Sequence, residues 1–210
     1  MGATGELFLS TFIIGLVVAA PVGAMAILCI QRVLAHGLRA GVATGAGIAT
    51  ADALFAAVAA FGVTAVADWL VTFQAGFRII GGTALIWFGL RAMRTKPSTS
   101  DTIEVDTARL AKQYSTAVGL TLTNPMTIMA FAAVFASAGL ATQASVAGAV
   151  VVTLGVATGS LIWWLALSTG VWTLRHMVSD KAVIIVNRVS GGVLAALGVV
   201  AIVAGVRAFG

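Results

Sequence analysis

The chain has 210 residues, of which 60% are hydrophobic and only 9% charged, with a formal charge of +5 at pH 7. That balance excludes an ordinary soluble domain and identifies an integral membrane protein. The alternating pattern of a membrane β-barrel is missing, whereas apolar runs of about twenty residues, the length of a spanning helix, recur along the chain.

Six spanning helices are predicted, at approximately 8 to 30, 42 to 65, 76 to 93, 115 to 138, 146 to 170 and 183 to 206. Before the first lie Glu6 and no Lys or Arg. A cleaved signal peptide would have a basic lead, so this helix is expected to be retained. It contains Pro21 and Gly23, and a proline inside a spanning helix frees carbonyls that lipid cannot satisfy. Cys29 is the only cysteine; neither an internal disulfide nor a two-thiol relay can form, and a small buried residue is expected there. The second helix carries Asp52 near its centre. The third begins at Arg78 with Gly81-Gly82 behind it.

Thr95 to Gln113 is the longest polar stretch, with Pro97, Ser98, Ser100 and the acidic trio Asp101, Glu104 and Asp106. It reads as a cytoplasmic linker (95–113) between two three-helix halves, 1–94 and 114–210. The fourth helix contains Asn124-Pro125, the fifth Gly155 and Gly159, and the sixth opens with Arg188 and Gly191-Gly192.

The halves look like copies. Gly15 to Ala26 aligns without a gap to Gly119 to Ala130, matching at Gly, Leu, Pro, Met and Ala. Gly47 to Asp52 resembles Gly155 to Ser160, and Arg78 to Gly82 resembles Arg188 to Gly192. An odd number of helices per copy forces the second to enter the membrane from the opposite side. The expected fold is therefore an all-α polytopic membrane protein of two inverted three-helix repeats, its first and fourth helices broken at Pro21 and Pro125.

Charge placement orients it. Arg32, Arg39, Arg91, Arg94, Lys96, Arg109, Lys112, Arg175, Lys181 and Arg188 fall in or near the loops after helices one, three and five, and only Arg78 and Arg207 on the other side. By the positive-inside rule those loops are cytoplasmic and both termini outside. The positive charge thus implies no nucleic-acid partner.

Asp52 is the strongest candidate for chemistry, since a lone carboxylate in hydrocarbon costs at least ~2.5 to 3.5 kcal/mol on insertion scales and should meet water, a cation or a proton. A carboxyl that binds a substrate ammonium in one state and a proton in another suits a coupled transporter. Breaks at Pro21 and Pro125 offer amides for a carboxylate and carbonyls for an ammonium, the pair of needs of a zwitterion. Gly23 and Asn124 flank them. Thr50, Thr158 and Ser160 share the depth of Asp52, although hydroxyls between membrane helices are commonly packing glue. The glycine spacings suit close helix contact. His36 and His176 fall in predicted loops without metal-ligand spacing, and neither a phosphate loop nor a Gly-x-Ser-x-Gly nucleophile motif occurs.

Pro21-Val22-Gly23-Ala24-Met25-Ala26 through Gln31-Arg32, Gly37-Leu38-Arg39-Ala40-Gly41, Gly47 to Leu54 and Leu122-Thr123-Asn124-Pro125-Met126-Thr127-Ile128 resemble the LysE family of amino-acid exporters, over almost the whole chain. The resemblance implies ion-driven efflux of amino acids or related metabolites across the bacterial cytoplasmic membrane, with Pro21, Gly23, Asp52, Asn124 and Pro125 at motif positions. Ala24 stands where members usually have a second proline, and Met126 where many have lysine. The expected partners are a small-molecule amino acid, protons or another coupling ion and membrane lipids, with a homo-oligomer an open option; no cofactor or metal is expected and the chain does not read as an enzyme. Two alternatives stay open: a metal or inorganic-ion exporter, and a membrane scaffold subunit that transports nothing.

Overall fold

The structure is a computed structural model that describes residues 2–20, 23–61, 73–94, 107–124, 127–128, 130–131, 145–175 and 180–207. Among the described residues there are helices and no strand. The helices are α1 Ala3–Ala19, α2 Ala24–His36, α3 Leu38–Ala60, α4 Gln74–Met93, α5 Thr107–Leu122, α6 Val146–Leu174 and α7 Asp180–Arg207. Helices are what a chain this apolar must form in lipid, because only they satisfy every backbone group within one segment. α3, with 23 residues, and α6, with 29, are each long and apolar enough to cross a membrane, and α1 and α2 are so only taken together, as a pair bent by 77° at its break.

The first predicted helix is thus two. α1 closes with the Ala20 amide on the Leu16 carbonyl at 2.9 Å, and α2 opens from Gly23, whose carbonyl accepts from the Ile27 amide at 3.1 Å. Pro21 and Val22 lie outside the described residues. A similar interruption follows α5: the Asn124 amide reaches back to the Thr121 carbonyl, and the Asn124 carbonyl starts a new turn by accepting from the Ile128 amide, both at 3.1 Å. Pro125 and Met126 are likewise outside the description, whereas 127, 128, 130 and 131 are helical.

Several helices overrun their predicted spans at polar ends. α2 continues to His36, so Arg32 belongs to a helix and His36 ends one, where loops were expected. α5 starts at Thr107, inside the stretch read as linker. Its first turns expose Arg109 and Lys112, good helix formers that a search for apolar runs passes over.

Glycines set the packing. A Cβ on Gly82 would lie 2.6 Å from the Gly198 carbonyl oxygen, and one on Gly191 2.5 Å from that of Gly89. One number rises as the other falls, so α4 and α7 run antiparallel with backbones touching. Along α6, Gly155 meets Phe8 and Thr11 while Gly159 meets Phe12 and Leu16, so α1 and α6 run parallel. Gly41 faces Ser168 and Gly45 faces Trp164, so α3 is antiparallel to α6. Close backbone approach of this kind is how helices associate where lipid removes the hydrophobic drive.

These directions collect the C-termini of α2, α4 and α6 and the N-termini of α3, α5 and α7 at one end of the bundle. Arg39, Arg91, Arg109, Lys112 and Arg175 gather there; Arg78 and Arg207 stand at the other end, where Gly205 packs on Arg78. The helices α2 and α3 are joined by Gly37 alone, at φ +86°. Only glycine holds that conformation without strain.

Candidate functional site

Asp52 lies midway along α3 and is 3% exposed. The Ser160 hydroxyl of α6, fully buried, donates to Asp52 Oδ2 at 2.6 Å. These two residues, 108 apart, occupy the same place in the Gly47 to Asp52 and Gly155 to Ser160 blocks.

Both interrupted segments reach the same level. Just before Asp52 on α3, Ile48 and Ala49 pack in one cluster with Ala24 and Met25 from the start of α2 and Leu120 from the end of α5. Just after it, Phe55 and Ala56 pack with Val18, Leu122 and Ile128, which bracket the two interruptions. Thr121 Oγ1 donates to the Ala117 carbonyl at 2.8 Å and touches Met25 Sδ at 3.4 Å. The last turn of α5 therefore abuts the first turn of α2.

A second feature lies at the basic end. A cavity of about 480 Å³ opens between α2, α4 and α5, lined by Gln31, Arg32, His36, Trp87, Phe88, Arg91, Arg109, Lys112 and Gln113 among others, with no Asp or Glu among the described residues that line it. Arg32, 8% exposed, reaches it from α2. Its Nη1 donates to Thr44 Oγ1 at 3.0 Å and to the Gln113 carbonyl at 2.7 Å, and its guanidinium lies 5.8 Å from the Phe88 ring centre. Neutral acceptors and an aromatic face hold the buried cation, and none of them cancels its charge.

The sequence profile of the LysE type translocator family matches residues 16–205. The chain belongs to the LysE type translocator family. It is also 30% identical over 148 residues to the uncharacterized membrane protein YahN of Escherichia coli (strain K12), a match covering 70% of this chain and 66% of that protein. The chain thus spans just under two thirds of that relative. No solved structure matches.

In this LysE type translocator the expected site residues separate into groups. Asp52 and Ser160 meet directly, and Gly23 and Asn124 stand at the two interruptions. Pro21 and Pro125 lie outside the described residues. Thr50 donates to the Ala46 carbonyl of its own helix at 2.9 Å and accepts from the Tyr114 hydroxyl at 2.9 Å, and Thr158 donates to the Leu154 carbonyl at 2.7 Å. Their hydroxyls serve helices rather than Asp52. Asp52 itself is absent from the cavity lining. Cys29 is buried beside Ser168, its sulfur 3.4 Å from the hydroxyl. Among the described residues no three His, Cys, Asp or Glu side chains cluster as a metal site.

Gln31, Arg32 and Gln113 escaped the sequence reading, which counted Arg32 as a topology charge and Gln113 as linker. A signal was present. Gln31-Arg32 follows an apolar run with neither Pro nor Gly before Gly37, so a helix should continue through it and carry the charge inward.

Proposed function

We propose that the protein is a secondary transporter that exports small amino acids or related zwitterionic metabolites across the bacterial cytoplasmic membrane, coupled to protons. The basic end of the bundle faces the cytoplasm. The observation that carries this reading is the hydrogen bond between Asp52 and Ser160, which joins matching positions of the two similar sequence blocks at the level of both helix interruptions. Transporters built from inverted repeats keep their site at such a place, with broken helices supplying backbone ligands. The antiparallel course of α3 against α6 and of α4 against α7 supports the inverted repeat, because each pair joins the counterparts of the two halves.

In this state the Ser160 hydroxyl occupies the carboxyl of Asp52. During the cycle that bond exchanges for a proton or for the ammonium of the cargo, while the amides after Gly23 receive the cargo's carboxylate and the carbonyls before Asn124 share its ammonium. Export is tested by following radiolabelled lysine, arginine, threonine and glutamate out of cells that express wild type or Asp52→Asn at equal membrane abundance. One cargo should leave faster with wild type than with empty vector, and the Asn variant should return it to the vector rate. Equal rates for wild type and vector across the panel would refute amino-acid export.

A further inference from the structure

We propose that the cavity at the basic end is the entry site that captures the carboxylate of the cargo, with Arg32 and Gln31 as its donors, and that it selects compounds bearing a free carboxylate and no net positive charge. This deepens the export reading and rests on it for the word cargo.

Three observations converge on an anion. First, the described lining carries Arg32, Arg109 and Lys112 and no carboxylate, a positive balance whose field a cleft with low-dielectric walls concentrates. Second, Gln31 is 5% exposed and its Nε2, a donor, has no hydrogen-bond partner although it lines the cavity. A buried amide donor left unpaired costs on the order of 1–3 kcal/mol, which a ligand oxygen would recover. Third, Arg32 spends Nη1 on Thr44 and Gln113, while Nη2 and Nε make no hydrogen bond among the described residues. An arginine edge with one fixed nitrogen and free neighbours is shaped for a carboxylate, and the fixed nitrogen holds it in place.

The same cavity also offers an acceptor beside Arg32. Gln113 Oε1 is buried and unpartnered, and the carbonyl of the same residue anchors Arg32. An α-amino acid set with its carboxylate on Arg32 and Gln31 would offer its ammonium to that oxygen. A second cationic group on the cargo would meet Arg109 and Lys112, with no carboxylate in the described lining to answer it. Lysine and arginine are disfavoured for that reason, although a lone buried Asp52 would by itself suggest them.

The test is thermal stabilisation of the purified, detergent-solubilised full chain by glutamate, threonine, lysine, 1-aminopropan-2-ol (threonine without its carboxylate) and cadaverine (lysine without its carboxylate). Glutamate and threonine should raise the melting temperature, and the two amines should not. Arg32→Gln should raise the half-saturating glutamate concentration by roughly tenfold, the effect of one lost charge-assisted hydrogen bond, and Arg39→Gln should leave it unchanged. Because Arg32 also ties α2 to α3 and α5, Gln31→Leu supplies the same test should Arg32→Gln not fold. Stabilisation by the amines equal to that by the acids, or an unchanged half-saturating concentration in both variants, would overturn the site. Efflux of lysine exceeding that of threonine and glutamate would overturn the selectivity while export stands. Carboxylate binding that depends on Gln31 and Arg32 supports the site even where no amino acid is exported, and then only the export reading falls.

Discussion

Removing the Ser160 hydroxyl strips Asp52 of the hydrogen bond it makes at 2.6 Å. Inside a membrane bundle such a bond is worth about 1 kcal/mol, because the unfolded chain in lipid also finds partners. Ser160→Ala should therefore lower stability by about that amount, and should cost much less in an Asp52→Ala background, which has no side-chain acceptor. Reversible unfolding in mixed micelles, run as a double-mutant cycle, measures the coupling, and zero coupling would mean that the hydroxyl and the carboxyl act independently. The pair illustrates what a sequence can disclose about a residue. Asp52 stood out because a lone acid in an apolar run demands an explanation, and the alignment of blocks pointed to Ser160 as its counterpart. Arg32 did not stand out, since a basic residue at the end of an apolar run looks like a topology marker until the helix is seen to continue to His36. Its placement depends on the 77° bend between α1 and α2, and no local pattern encodes that angle.

At the scale of an element, the pair Gly191-Gly192 separates two roles that the sequence merges. A Cβ on Gly191 would press on the Gly89 carbonyl, whereas one on Gly192 meets nothing within 4 Å. Gly191→Ala should destabilise the contact of α4 with α7 by roughly 1–3 kcal/mol through overpacking. Gly192→Ala should instead stabilise the protein by about 0.5–1 kcal/mol, because alanine loses less backbone freedom in a helix. Melting temperatures of the two variants should move in opposite directions from wild type. A matching fall in both would show that the two glycines share one contact. The reading of these spacings as packing faces is met at Gly41, Gly45, Gly155 and Gly159 too, each of which touches a neighbouring helix. What the spacings do not disclose is the partner. The sequence block that pairs Gly82 with Gly192 in alignment leaves open that the glycine facing α4 is Gly191, one residue earlier, because adjacent helical positions point about 100° apart and only the three-dimensional contact selects between them.

For the whole molecule, helical class and membrane setting were legible because apolar runs long enough to span lipid leave few other choices, and the family resemblance was legible from the blocks around Gly23, Asp52 and Asn124. The cavity was not, since it joins the end of α2, the end of α4 and the start of α5, three segments distant in sequence. Orientation rests on charge alone and is open to a direct check. Cys29 is the only cysteine and is fully buried, so a membrane-impermeant maleimide should ignore the wild type. Arg207→Cys and Lys112→Cys place exposed thiols at opposite ends of the bundle. In intact cells the reagent should label Arg207→Cys at once and Lys112→Cys only after the membrane is permeabilised. The reverse order would put the basic cavity outside, where it would receive a compound being imported, and would turn the proposed direction of transport around. Labelling of both thiols in intact cells would mean that the two ends are not separated by the bilayer, against the bundle's charge asymmetry and the positive-inside rule together.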